Sequence, residues 1–397
     1  MRLAAIAFAG FSTVRFADAR AYLFAARSLA ETGRYPLTTD LAFFRPPAYP
    51  VFLVAATLGR PDRIALAQIA NALLGAAAAP LLALLSARIF RRRGLAVATG
   101  LAAAILPSFV LVCTDVQSEP LFMVLLLLAG LLLLASVDRP SSNGAVLAGI
   151  ALGLAALTRP SALAVSPLLL APLADRRYPA RARRHLAASG VLGLLLALAP
   201  WTLRNALVFH ELIPVSDMGG VSLYAGNSGW TRRYYALQSR SEYERWLRAQ
   251  ELDIRARFAE IQRSGPLTPG QRSAAFARMA IQESAADPMG ALRVFALKAW
   301  HWLRPFPTPW FWPAAVVLAT GLLYLALDVL AALGMARAPR RGVAAFCLAF
   351  LFLGMAIHVL MQVVWRYRVP YWDPVVLLYA MYAAAAVAGL AGGKPGR

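Results

Sequence analysis

Three acids and five arginines are the residues of this chain whose types and spacing suggest chemistry. Asp18 follows a short apolar run and opens a helix-like stretch. On such a helix Tyr22 lies one turn later on the same face, with Ala25, Ala26 and Leu29 continuing it. Asp18 reads either as the cap of a helix lying on the membrane surface or as a carboxylate base taking a proton from an acceptor. Asp115 and Glu119 stand four apart in Thr114-Asp115-Val116-Gln117-Ser118-Glu119-Pro120 and lead straight into an apolar run. They read as helix-start acids favoured by the dipole, or as oxygen ligands for a divalent cation (Mg, Mn or Ca).

Arg45, Arg159, Arg204, Arg366 and Arg368 all fall at the same ends of apolar spans. Any one of them reads as a snorkelling side chain. Together they suggest an anion held by bidentate contacts, and a phosphate at the membrane surface suits them. Tyr224-Ala225-Gly226-Asn227-Ser228-Gly229 is a polar turn in which Asn227 can meet a ligand, though the pattern is ordinary loop chemistry.

The elements that position these groups follow from composition. The chain has 397 residues, of which 60% are hydrophobic and 15% charged, and its mean hydropathy is +0.59. Charge-poor runs near the length needed to cross a bilayer recur throughout, and helices satisfy their backbone groups in lipid. The expected fold is an all-α polytopic membrane protein. Spans are expected at 1–15, 64–88, 95–113, 119–137, 143–158, 160–174, 186–203, 312–335, 342–363 and 374–392; the first, fifth and sixth are short for a crossing.

The basic loops Arg88–Arg93, Arg176–Arg184 and Arg337–Arg341 fall on one side when these ten spans are counted alternately, as does the tail with Lys394 and Arg397. The positive-inside rule makes that side cytoplasmic, with both termini inside. The other side receives the first loop (15–62), the Asp115–Glu119 turn, the Arg159 turn, a long segment from Arg204 to about Trp310, and Trp365–Asp373. The expected organisation is an N-terminal transmembrane module (1–203), an extracytoplasmic helical cap (204–310) and a C-terminal transmembrane module (311–397). Within the cap, Ser241-Glu242-Tyr243-Glu244 predicts a capping box and a helix to about Arg263. Thr268-Pro269-Gly270-Gln271 and Asp287-Pro288 predict two further helix starts. Trp300, Trp302, Trp310 and Trp312 are expected at the lipid interface.

The net charge of +21 fits basic inner loops and anionic lipid; scattered over loops, it gives no nucleic-acid surface. Cys113 and Cys347 are expected at opposite membrane faces and unpaired. The histidines form no HExxH pattern, and there is neither a Walker loop nor a GxGxxG following a strand. The opening residues do not read as a cleavable signal of the usual form.

In this order, Asp18 with Tyr22, Gly33-Arg34-Tyr35, Arg45-Pro46-Pro47-Ala48-Tyr49-Pro50, Ser118-Glu119-Pro120-Leu121, Leu157-Thr158-Arg159-Pro160, Arg204-Asn205, Gly226-Asn227 and Arg366-Tyr367-Arg368-Val369-Pro370 resemble the polyprenyl-phosphate-dependent glycosyltransferases of the GT-C fold. The nearest likeness is to the protein O-mannosyltransferase and aminoarabinose-transferase-like families. The resemblance implies a bundle of about ten transmembrane helices with outer juxtamembrane helices and a small cap. It implies a polyprenyl-phosphate-linked sugar donor, a protein, lipid or glycan acceptor, and a site on the outer face of the bacterial inner (plasma) membrane.

Asp18 would match the catalytic first-loop aspartate, and Asp115 or Glu119 the second-loop acid that helps bind metal in some relatives. Tyr22, Arg45, Tyr49, Arg159, Arg204, Asn227, Arg366 and Arg368 would contact substrate. Attack in line would invert the anomeric centre, with the arginines stabilising the departing phosphate. Two departures stand out: Ala19 follows Asp18 where many relatives carry a second acid, and the cap is small. Competing readings are a transporter or flippase of lipid-linked sugars, whose polar groups usually sit mid-membrane, and a non-catalytic assembly factor. Asp328 and His358 are the ionisable residues of the spans that bear on the former; Asp328 is expected towards the inner boundary.

Overall fold

The structure, a computed structural model, describes residues 1–14, 17–38, 43–263, 265–308 and 313–388. All its regular elements are helical. The chain opens with α1 (Arg2–Ala9), α2 (Ala17–Thr32) and α3 (Ala48–Ala56). Then come α4 (Ile64–Phe90), α5 (Arg93–Ile105), α6 (Pro107–Leu111), α7 (Glu119–Asp138) and α8 (Ser142–Thr158). A 3-10 helix over Pro160–Ala174 leads into α9 (Ala180–Phe209). The segment beyond it folds as α10 (Met218–Asn227), α11 (Gly229–Tyr234), α12 (Arg240–Gln262), α13 (Pro269–Ala286) and α14 (Pro288–Leu303). The chain returns through α15 (Ala314–Ala336), α16 (Arg341–Leu360), α17 (Trp365–Arg368) and α18 (Trp372–Val387).

Among the described residues, α4, α7, α9, α15 and α16 are long and apolar enough to cross a membrane, and α5, α8, Pro160–Ala174 and α18 are shorter apolar helices. The chain is a multi-pass membrane protein. The first expected span is corrected: α1 has eight residues, about 12 Å at the α-helical rise. The short span 160–174 has a physical solution. Pro167 and Pro172 lie inside it and remove the donors an α-helix needs. Its 15 residues wind as a 3-10 helix, whose steeper rise stretches them to roughly 30 Å, a hydrocarbon thickness.

Helices α8 and α9 pack backbone to backbone. A Cβ on Gly149 would stand 1.9 Å from the Gly190 carbonyl, and one on Gly193 2.0 Å from that of Val146; small residues permit such close approach between membrane helices. The basic loops gather at one end. There Asp138 pairs with Arg340 and lies 3.6 Å from Arg88, while Tyr178 donates to the Asp138 carbonyl. Lys394, Arg397, Trp310 and Trp312 lie outside the described residues.

Three helix starts were expected in the segment after α9, and two fall as expected. Thr268 and Gln271 form a capping box at α13, and the Asp287 side chain accepts from the Gly290 amide at α14. The third lies two residues earlier than expected: Ser239, not Ser241, accepts from the Glu242 amide and caps α12. Phe43 of the first loop packs into the apolar centre of this segment against Phe276 and Phe258. Trp302, expected at the lipid interface, is buried and stacked on His358, whereas Trp300 is exposed.

Candidate active site

Asp18 stands in the first turn of α2. Ala19, Tyr22, Ala25 and Ala26 form the buried side of that helix, which brings the carboxylate over the N-terminal ends of α4 and α7. Arg45 reaches it from the loop ahead of α3, with Nη2 2.9 Å from Oδ1. The Arg45 backbone is pinned: Tyr35 donates to its carbonyl at 2.8 Å, and the neighbouring Phe44 amide donates to Asp217 at 2.9 Å. Arg366, in the short helix α17, donates to the other carboxylate oxygen, Oδ2.

The second acid joins through the same arginine. Glu119 opens α7 and is 1% exposed. Its Oε1 lies 3.4 Å from Arg366 Nε and 2.9 Å from Arg159 Nη1. Arg159 also donates to Ser118 Oγ at 3.1 Å and lies over the Tyr367 ring. Arg45, Asp18, Arg366, Glu119 and Arg159 therefore form one chain of alternating charges, three positive and two negative. Burial works to raise the Asp18 carboxyl, but Arg45, Arg366 and Arg159 overrule it and hold it well below the usual carboxylate range. In this arrangement Asp18 is ionised and weakly basic.

The other expected contacts divide. Tyr22 lies in the site: its hydroxyl shares a hydrogen bond with Ser118 at 3.2 Å, and Arg45 lies over its ring. Tyr49 is a layer below, fully buried, edge-on to Tyr22 and accepting from Asn71. Arg204 lies apart from the ionic chain. It donates to the Tyr35 carbonyl and stacks on Trp201 and Phe209. Arg368, expected on substrate, is 1% exposed and turned inward. It meets Asp373 at 3.3 Å and Asp328 at 3.8 Å and donates to the Trp302 and Arg304 carbonyls. Asn227, likewise expected on substrate, ties helices together: it donates to the Leu360 carbonyl and accepts from Lys298.

A divalent cation does not fit the expected pair. Asp115 is 1% exposed and turns Oδ1 to the Val116 amide, while Glu119 faces two guanidiniums. Among the described residues no three His, Cys, Asp or Glu side chains converge. Asp328 and His358 are engaged internally, the first accepting from Trp372 Nε1 at 2.9 Å, the second bonded to the Gly354 carbonyl. The Trp372 bond holds Asp328 against the first residue of α18.

Several site residues were not singled out from the sequence. Gln117 accepts from Arg366, Ser118 joins Tyr22 to Arg159, and Tyr367 lies under both Arg159 and Arg366. All three stand near charged residues in the sequence, and a neutral side chain carries no signal against the charge bias of its loop. Tyr243 of α12, read from the sequence only as part of a helix start, also comes within electrostatic reach of Arg366, Tyr367 and Asp18.

Comparison with known proteins bears on the fold. Residues 45–203 match the family described as dolichyl-phosphate-mannose-protein mannosyltransferase. No curated protein matches the chain. The archaeal oligosaccharyltransferase AglB from Archaeoglobus fulgidus, solved with an inhibitory peptide and a dolichol-phosphate, superposes with a TM-score of 0.56 at 13% identity. That match covers 100% of this chain and 52% of the other. An A. fulgidus oligosaccharyltransferase complex with Zn and sulfate gives 0.55 at 15% identity, covering 94% and 45%. ArnT from Cupriavidus metallidurans, bound to undecaprenyl phosphate, gives 0.45 at 17% identity, covering 98% and 76%. The chain spans about half the length of the oligosaccharyltransferase chains it matches. The resemblance read from the sequence is borne out in the fold, which is of the GT-C type.

Proposed function

We propose that this chain is a membrane glycosyltransferase moving a sugar from a polyprenyl-phosphate-linked donor to a protein, lipid or glycan acceptor. The reaction takes place outside the cytoplasm at the bacterial inner membrane, both termini lying inside. The observation that carries the reading is the ionic chain on Asp18, with three guanidiniums against two carboxylates. Its excess positive charge and its bidentate donors suit a phosphate. A donor phosphate competes with Asp18 for Arg45 and Arg366. Once those arginines turn to it, the Asp18 carboxylate regains basicity beside the anomeric carbon.

The acceptor oxygen then bonds to that carbon from the face opposite the phosphate. Its proton passes to Asp18. The bond from the anomeric carbon to the phosphate oxygen breaks, its electron pair leaves with the phosphate, and the configuration inverts. Arg366 and Arg159 hold the departing charge. An apolar cleft between α4, α7, α16 and α18, lined by Leu126, Leu133, Phe346, Phe350, Pro370 and Leu378, begins beside α17 and suits an isoprenoid tail. With Glu119 committed to two guanidiniums, no step is routed through a metal.

The test uses purified protein in lipid nanodiscs and radiolabelled polyprenyl-phosphate sugars. Release of polyprenyl phosphate with label on an acceptor is expected, and Arg366→Met and Arg45→Met should abolish it together with undecaprenyl-phosphate binding. Movement of labelled donor across a sealed vesicle with no transfer would instead establish a flippase. The inward commitment of Asp328 and His358 weighs against that outcome.

A further inference from the structure

One group of side chains has no part in the ionic chain or in any apolar core. Tyr234 and Tyr235 of the α11 end, Tyr243 and Trp246 of α12, and His301 of α14 touch ring to ring. Tyr234 stands 5.1 Å from Trp246 and 6.4 Å from Tyr243, and Tyr235 stands 4.5 Å from His301. Tyr243 and Trp246 lie 6.0 Å apart with planes only 23° from parallel. All five are half-buried. None joins the apolar centre of this segment, which is built from Phe43, Val221, Tyr224, Ile254, Phe276 and Ala280.

A lipid-interface belt does not account for the group. The Trp246 indole donates inward to the Trp230 carbonyl at 2.8 Å, so it is not turned to headgroups, and Glu242, Glu244 and Arg245 flank the two α12 rings. The group has a direction instead: its Tyr243 end feels the charges of Arg366 and Asp18. The Tyr234 and Tyr235 hydroxyls make no hydrogen bond among the described residues. Burial, helped by Arg304, lowers His301 to about 4, so the imidazole is neutral near pH 7 and can both donate and accept.

From this juxtaposition we infer that the aromatic wall of Tyr234, Tyr235, Tyr243, Trp246 and His301 is a pyranose subsite. A pyranose offers one face of weakly positive C–H groups, which the negative faces of aromatic rings attract, and a rim of hydroxyls for the Tyr234 and Tyr235 phenols and a neutral imidazole. This rests on the proposed transferase reading for its role, and the ring it holds is either the donor's sugar or that of a glycan acceptor.

Binding is measured without turnover, by saturation-transfer NMR of methyl α-D-mannopyranoside, methyl β-D-glucopyranoside and methyl β-D-galactopyranoside on the nanodisc protein. Ring-proton signals are expected for at least one glycoside. Trp246→Ala and Tyr234→Ala should each weaken its binding by about tenfold, the scale of one aromatic contact. Trp246→Phe and Asp18→Asn should retain it. Absence of signal from all three glycosides, or signal unchanged in both alanine variants, overturns the inference whether or not the protein is a transferase. A second arm compares donor cleavage by water with transfer to acceptor. Slowing of both by the alanine changes assigns the ring to the donor, slowing of transfer alone assigns it to a glycan acceptor, and slowing of neither overturns the subsite.

Discussion

Asp18→Asn separates binding from chemistry because Asp18 and a donor phosphate compete for the same two arginines. Asp18 Oδ1 lies 2.9 Å from Arg45 Nη2, and the aspartate side chain is only 21% exposed. Two unit charges 4 Å apart at an effective dielectric of 20 attract by about 4 kcal/mol. Desolvation returns much of that, leaving about 1.5–3 kcal/mol for a charged hydrogen bond. Asn keeps the shape and loses the charge, so phosphate no longer has to displace a carboxylate. Undecaprenyl phosphate should bind about tenfold more tightly to Asp18→Asn, roughly 1.4 kcal/mol, while transfer falls by about 10²–10⁴ as a base is lost. Calorimetric titration of the lipid and single-turnover transfer on the same preparation give both numbers. Weaker lipid binding, or turnover at the parent rate in folded protein, refutes the competition argument. The pH behaviour has a definite sign. A depressed folded-state pKa stabilises above the unfolded value near 4 and loses that contribution as pH falls through the folded value. The stability gap between parent and Asp18→Asn should therefore be constant above about pH 5 and close only in stronger acid.

Glu119→Gln removes a carboxylate shared by Arg159 and Arg366. Breaking a buried pair on one side should cost about 3–5 kcal/mol, read as a large drop in thermal midpoint in detergent. Gly226→Ala would place a Cβ 1.6 Å from the Met361 carbonyl, separating α10 from the end of α16. A loss of about 1–3 kcal/mol is expected from overpacking, with transfer impaired because the Lys298 bonds to Gly226, Leu360 and Met361 are disturbed. Burial, against the pull of the Phe44 amide and Arg272, raises Asp217 to about 6. The folded state then binds more protons than the unfolded one between about pH 4 and 6, so stability should fall by roughly 2–3 kcal/mol as pH rises through that range. Asp217→Asn should flatten that slope in a pH series of melting curves.

The membrane class, most span positions and the identity of the ionic residues were legible because they rest on local signals. A bilayer demands about twenty apolar residues per crossing, and arginines in outer loops run against the charge bias. Asp18, Arg45, Glu119, Arg159 and Arg366 stood out for that reason, and the structure brings all five together. Arg368, two residues from Arg366, carried the same signal and turned the opposite way, to Asp373 and Asp328. Nothing in a spacing of two residues tells which guanidinium joins Asp18 and Glu119 and which turns inward to Asp373 and Asp328. The same holds for Asn227 and Tyr49, whose polar atoms are used by Lys298 and Asn71.

By itself, then, the sequence determined the solvent each segment requires, and with it a helical multi-pass fold whose unusual charges collect at one end. Pairing was decided only by the tertiary structure: which acid shares which arginine, that Glu119 meets guanidiniums rather than a cation, and that Tyr243 meets Tyr234 and Trp246. Hydropathy is summed along the chain, whereas ion pairs and ring contacts depend on a few ångströms set by packing between elements far apart in sequence.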